Sequence, residues 1–253
     1  MKIQYASDLH LEFKENKKWL TSNPIKPVGD ILILAGDVIL FGLIESHDDF
    51  FDYVSDNFEK TFWLPGNHEY YYYDLANRSG VLNEKIRSNV LLVNNVTVKE
   101  RDVHLVFSTL WTYISPLNQL AIQNGMSDFK VIQYKGKAFT PAHYNEQHQF
   151  CKDFLIKELN KKYEKSIVVT HHVPTLLHYP EQYRNSILNE GFAVELYDLI
   201  ESSKAQYWIY GHHHQNVPPF KIGATTMLTN QLGYVQHKEH KGFDGDAVIE
   251  IDL

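Results

Sequence analysis

The residues best equipped for chemistry sit at five points, each directly after a short apolar run. Ile3 to Ala6 leads into Ser7-Asp8-Leu9-His10, Ile31 to Ala35 into Gly36-Asp37, and Phe62 to Leu64 into Pro65-Gly66-Asn67-His68-Glu69. Ile167 to Val169 leads into Thr170-His171-His172, and Tyr207 to Tyr210 into Gly211-His212-His213-His214. Asp, Asn and His are hard to borderline donors, suited to Mn, Fe, Zn or Co rather than to a thiolate-seeking metal. No cysteine accompanies them, since the chain's single one is Cys151, and a structural zinc site is not indicated. Five such endings imply that the carboxyl ends of several strands meet at one metal-binding point.

Spacing refines this. Asp8 and His10 are two apart, and side chains at i and i+2 of an extended backbone share a side, so both can reach one ion. His212 and His214 repeat the interval, with His213 expected to point away. Asp37 has two oxygens and can bridge two ions, while Asn67 offers a neutral amide oxygen. Gly36 and Gly211 allow the backbone to turn where strand becomes loop.

The elements that must position these residues read as follows. Lys2 to Ala6, Ile31 to Ala35 and Ile167 to Val169 are apolar on both faces, the pattern of strands covered on two sides. Their long connections favour crossovers over hairpins. Helical spacing runs through Ile44, Phe51, Val54 and Phe58, and through Val194, Tyr197 and Ile200. It also runs from Tyr144 through Cys151, Phe154 and Leu155 to Leu159, with Thr140-Pro141 as cap and first turn. Cys151 falls on the apolar side of that helix as inert packing. Short strands are expected between Leu91 and Leu110, broken at Asn94-Asn95 and Arg101-Asp102, and again at Val217 to Ile222, Thr225 to Leu228 and Ala247 to Ile251. Two sheets packed face to face with helices outside would fit this α/β mixture. Trp111 to Tyr134 is polar, aromatic and weakly periodic, and reads as an excursion over one rim of the site.

Composition narrows the partners. The formal charge of −7 over 253 residues gives no basic nucleic-acid footprint. No run of about 18 apolar residues exists, so no membrane span is expected. The first strand carries a ligand motif where a signal peptide would be cleaved, so a cytoplasmic location is the expectation.

Taken together and in this order, the motifs resemble those of the calcineurin-like metallophosphoesterase superfamily: Asp-x-His, Gly-Asp, Gly-Asn-His-Asp/Glu, His, Gly-His-x-His. The resemblance implies residues 1–253 as a single metallophosphoesterase domain, with the rim excursion around 111–134, built as a four-layer αββα sandwich of two mixed β-sheets. Two divalent transition-metal ions would bind at one edge. Asp8, His10 and His214 would hold the first, Asn67, His171 and His212 the second, and Asp37 would bridge. His172 is the alternative to His171. His68 would be the catalytic histidine, protonating the leaving group after attack by a metal-bridging hydroxide on a small phosphomonoester or phosphodiester. A non-catalytic metal-binding scaffold and a nuclease are the other readings. One departure stands out. Where the protein-phosphatase branch has an Asp paired to the catalytic His and a phosphate-binding Arg, this chain has Leu40 and Phe41, which leaves open what orients His68.

Side chains that would meet the substrate are less legible. Within Tyr70 to Tyr73, Tyr70 is expected to face the site. Trp111 and Tyr113 are read either as rim or as packing, and Arg78 and Arg184 as solvent-facing. His178, His237 and His240 are given no metal role.

Overall fold

The computed structural model describes residues 1–252, and the elements below are those of the described residues. Strands β1 (Lys2–Ala6), β2 (Ile31–Ala35), β3 (Lys60–Leu64), β4 (Leu82–Lys85) and β5 (Val90–Asn94) are followed by β6 (Val96–Glu100) and β7 (Val103–Ser108). A two-residue ribbon, β8 (Gln133–Tyr134) with β9 (Lys137–Ala138), precedes β10 (Ser166–Thr170), β11 (Tyr207–Ile209), β12 (Phe220–Ile222), β13 (Thr225–Leu228) and β14 (Val248–Glu250). Helices are α1 (Lys14–Ser22), α2 (Asp48–Asn57), α3 (Gln119–Gly125), α4 (Asp128–Val131), α5 (Pro141–Leu159) and α6 (Tyr197–Ser203).

The strands form two mixed six-stranded sheets, in the orders β14-β1-β2-β3-β5-β4 and β12-β13-β11-β10-β7-β6. Each has a core of four parallel strands, β1, β2, β3 and β5 in one and β7, β10, β11 and β13 in the other. Each is closed at both edges by antiparallel neighbours. Alternation on β2 shows how the layers stack. Ile31, Ile33 and Ala35 share the inner core with Phe107, Ile167 and Val169 of the other sheet, while Leu32 and Leu34 belong to the outer core with Phe51 and Val54 of α2. Leu155, Leu159 and Ile200 of α5 and α6 cover the outer face of the second sheet. The result is the expected helix–sheet–sheet–helix order, and both faces of the central parallel strands are buried, which is why β2 reads as an unbroken apolar run and its neighbours as mostly apolar ones.

Local chemistry sets most boundaries. The Thr140 side chain accepts from His143 N at the start of α5, with Pro141 in its first turn. Cys151 is buried on the inner side of that helix. The strand expected from Val217 begins only at Phe220, because Pro218 and Pro219 have no N–H to offer a ladder. Val194 lies outside α6, beside the bridge between Val173 and Ala193. Helix α1 has no clear apolar stripe in its sequence; Leu20 and a buried Asn16 hold it down. Among the described residues no helix is long and apolar enough to cross a membrane.

Candidate metal centre

All five motifs emerge from the carboxyl ends of strands, β1, β2 and β3 from one sheet and β10 and β11 from the other. The parallel register places those ends along one edge of the sandwich. The side chains then turn inward through backbone that is seldom used. Asp8, His10, Asp37, His212 and His214 all have positive φ, between 47° and 80°. The two-residue interval therefore works through left-handed turns and not, as the spacing suggested, through extended strand. Asp and His tolerate that region better than most residues, and such strain gathers at functional sites. Gly66 is required for room: a Cβ there would stand 2.2 Å from Asp37 Oδ1 and 2.6 Å from His171 Nε2.

Two groups of donor atoms result, joined by Asp37. Asp8, His10, Asp37 and His214 each offer an atom within 4.8 Å of the others, and so do Asp37, His171 and His212. His214 Nε2 is 3.4 Å from Asp8 Oδ1, and His171 Nε2 is 3.4 Å from Asp37 Oδ1. Asn67 Oδ1 lies 3.2 Å from His171 Nε2, and its amide is aimed by donation from Nδ2 to Asp128 Oδ1 at 3.1 Å. His172 stands apart from this set. Its Nδ1 donates to the Thr109 carbonyl at 3.1 Å, and burial together with His171 lowers it to about 3. His213 turns to the Gln231 side-chain amide, and burial lowers it to about 4.

The donor set fits divalent cations on a specific observation. Nε2 of His10 and of His214 are 2.9 Å apart, and His171 Nε2 is 3.1 Å from His212 Nδ1. The opposite nitrogens are already engaged: His10 Nδ1 donates to Glu12, His214 Nδ1 to Glu239 and His171 Nδ1 to the Ala35 carbonyl. As neutral rings His10 and His214 would oppose lone pairs at this distance, so a proton or a cation belongs between them. His212 Nε2 has no partner, so its Nδ1 can carry a proton toward His171 or turn a lone pair to a cation. The surrounding carboxylates set the field for it. Burial opposes a charged ring at His214, but Asp8 and Glu239 outweigh it and raise the ring to about 10. Asp37 does the same for His171, to about 9. Asp37 itself is held well below the usual carboxylate range, because His171, His68 and His10 outweigh the effect of burial.

His68 lies beside the Asp37 group, with its backbone N–H donating to Asp37 Oδ1 at 2.9 Å. Its Nδ1 donates to Glu12 Oε1 at 3.0 Å, the same oxygen that His10 Nδ1 reaches at 3.0 Å. Burial alone would push the Glu12 carboxyl up, yet bonds from both histidines hold it down at about 2. Glu12 is thus the partner that Leu40 cannot be; Leu40 is buried and apolar. Tyr234 hydroxyl lies 3.3 Å from His68 Nε2, and Tyr71 stacks on the imidazole at 4.0 Å. Glu69, fully buried, accepts from the N–H groups of Asp37, Val38 and Gly66 and from Trp63 Nε1, pinning the second and third motif loops together.

Some expectations change here. Tyr70 is buried among Phe41 and Trp111 and does not face the cavity; Tyr71 does. Trp111 is packing against Tyr144 and His172, and Tyr113 lies on His148. Arg78 pairs with Glu84 and Arg184 with Glu181, and neither lines the cavity. Glu12, Asp128, Tyr234 and Glu239 escaped the sequence reading. Only Glu12 had a local signal, two residues past His10 in the same loop; the others arrive from distant chain and share no motif.

A model of calcineurin-like phosphoesterases matches residues 1–216. The chain belongs to that family. A relative of this calcineurin-like phosphoesterase, the uncharacterised protein L509 of Acanthamoeba polyphaga mimivirus, is 31% identical across 278 aligned positions, covering 99% of this chain and 96% of that protein. The fold is similar to the phosphopantetheinyl hydrolase PptH of Mycobacterium tuberculosis, with TM-score 0.65, 18% identity and coverage of 95% and 92% of the two chains. TT1561 of Thermus thermophilus matches at TM-score 0.51 and 15% identity, over 91% and 88%. At these identities the likeness to both structures is one of fold alone.

Proposed function

We propose that the chain hydrolyses a small phosphate ester at a dinuclear metal centre. The observation that carries this reading is the convergence of two buried donor groups on Asp37, with the His10 and His214 ring nitrogens facing each other at 2.9 Å in one of them. In this reading Asp8, His10 and His214 would hold one ion, Asn67, His171 and His212 the other, and Asp37 both. Such ions, when bound, neutralise phosphate oxygens and lower the pKa of coordinated water. The chain's own residues do the rest. Asp128 keeps the Asn67 oxygen turned inward, Glu12 and Glu239 fix the tautomers of His10 and His214, and Gly66 leaves room for the Asp37 and His171 donor atoms. His68 is the proton donor. Glu12 engages its Nδ1, so Nε2 is the nitrogen left to protonate a departing alkoxide, beside the Tyr234 hydroxyl.

The test is metal analysis followed by turnover of aryl phosphate monoesters and diesters after reconstitution with Mn(II). His68→Ala should keep two metals per chain while kcat falls roughly 10²- to 10⁴-fold, the range for a lost general acid. Two bound metals without turnover of any ester would point instead to a binding scaffold.

A further inference from the structure

The centre opens into a cavity of about 410 Å³. That is within the range for a drug-sized organic ligand and more than a phosphate ion alone needs. Among the described residues lining it, none is Lys or Arg. Its charged side chains besides Asp37 are the carboxylates of Asp128 and Glu239. Asp128 is buried, and Glu12, out of the cavity wall, adds a further carboxylate behind His10 and His68. Among the described lining residues only histidines can carry positive charge, and any more would have to come from bound ions.

Aromatic rings stand on both donor groups. Tyr234 lies 4.4 Å from His214 and 4.7 Å from His10, and Tyr71 lies on His68. Phe192 lies 4.7 Å from His212, and Met126, Leu188 and Tyr183 extend the wall near it. Two apolar walls offer places for two ester substituents. A phosphomonoester brings one substituent and close to two negative charges at neutral pH. A diester brings two substituents and one charge.

Building on the phosphoesterase reading, we propose that the substrate is a monoanionic phosphodiester with an aromatic or apolar ester group seated against Phe192 and Leu188, in preference to a phosphomonoester. One carboxylate-lined cavity without a cationic side chain disfavours the second charge, and the wall by Phe192 favours the second substituent.

Two measurements test this on metal-loaded protein. Initial rates with bis(para-nitrophenyl) phosphate, methyl para-nitrophenyl phosphate and para-nitrophenyl phosphate should give kcat/KM for the diaryl ester roughly tenfold or more above the monoester, the order expected from one unscreened charge plus a seated ring. The methyl aryl diester should fall between. Calorimetric titration at about pH 8 with diphenylphosphinate, a monoanion with two rings and no ester to cleave, should show tighter binding than phenylphosphonate, a dianion with one. Phe192→Ala and Leu188→Ala should each weaken diphenylphosphinate severalfold and leave phenylphosphonate within about twofold. Leu188, half-buried at the mouth, covers the case in which loss of Phe192 disturbs His212. Monoester preference, or phosphonate binding as tight as phosphinate, overturns the inference and leaves the phosphoesterase reading standing. No turnover of any of the three esters by protein with two metals overturns both.

Discussion

A carboxylate that accepts from two histidines at once fixes the tautomer of each, and Glu12 occupies that position between His10 and His68. Removing it leaves two buried ring nitrogens without an acceptor and frees both imidazoles to rotate. Glu12→Ala should therefore cost roughly 10- to 100-fold in activity or metal affinity, as losses of such supporting partners do. Glu12→Gln, which keeps an acceptor oxygen, should lose less; equal turnover for wild type and both variants would remove Glu12 from this role. Gly66 tests the same centre sterically. A methyl at Gly66 would overlap Asp37 Oδ1 and His171 Nε2, and neither buried side chain has a free direction in which to yield. Gly66→Ala should reduce bound metal well below that of wild type, read by elemental analysis. Retention of two ions per chain in that variant would contradict the placement of Asp37 between them.

At the scale of elements, the apolar runs were legible because parallel strands buried on both faces carry few polar positions: β2 is apolar throughout, β10 is apolar between Ser166 and Thr170, and β1 is broken only at Lys2 and Gln4. The ligand residues were legible for a related reason: Asp, His and Asn immediately after such strands have no packing role to explain them. Helix α1 and strand β4 were not legible. One is polar almost throughout, the other carries Asn, Glu and Lys, and each owes its place to the chain it meets in space. Tyr70 and Tyr71 show the limit within a motif, since adjacent tyrosines differ only in which way a 3₁₀ turn sends them. Helix α5 offers a prediction of its own kind. Near its end Glu158 accepts from Thr97 of β6, from Lys161 and from Tyr163. Burial would raise this carboxyl, but those bonds outweigh it and hold it below its usual value of 4.5. A depressed folded-state value contributes stability above the unfolded value, and the contribution disappears as pH falls through the folded one. Glu158→Gln should thus melt below wild type at neutral pH, and the gap should shrink as pH falls below 4.5 and close once it passes the lower folded-state value. A gap that stays constant with pH would assign the difference to packing instead of charge.

At the scale of the whole molecule, the centre is also a joint. Asp8, His10, Asp37 and Asn67 follow strands of one sheet, whereas His171, His212 and His214 follow strands of the other. Apolar packing between the sheets holds their middles together, but at the motif edge the loops meet mainly through buried polar groups with carboxylates of one sign. Divalent ions shared across that edge would bind the folded chain and not the unfolded one, and so stabilise it by mass action. With free metal at about a hundredfold above Kd, one site contributes about 2.7 kcal/mol. For a chain of this size each kcal/mol moves the melting temperature by about 2–4 °C, so chelation should lower it by about 5–10 °C per site. Asp37→Asn, in contact with both donor groups, should melt near the chelated wild type and gain little from added Mn(II). A wild-type melting temperature unchanged by chelator, with metal loss verified by elemental analysis, would mean that the two sheets are joined at this edge by their own hydrogen bonds alone.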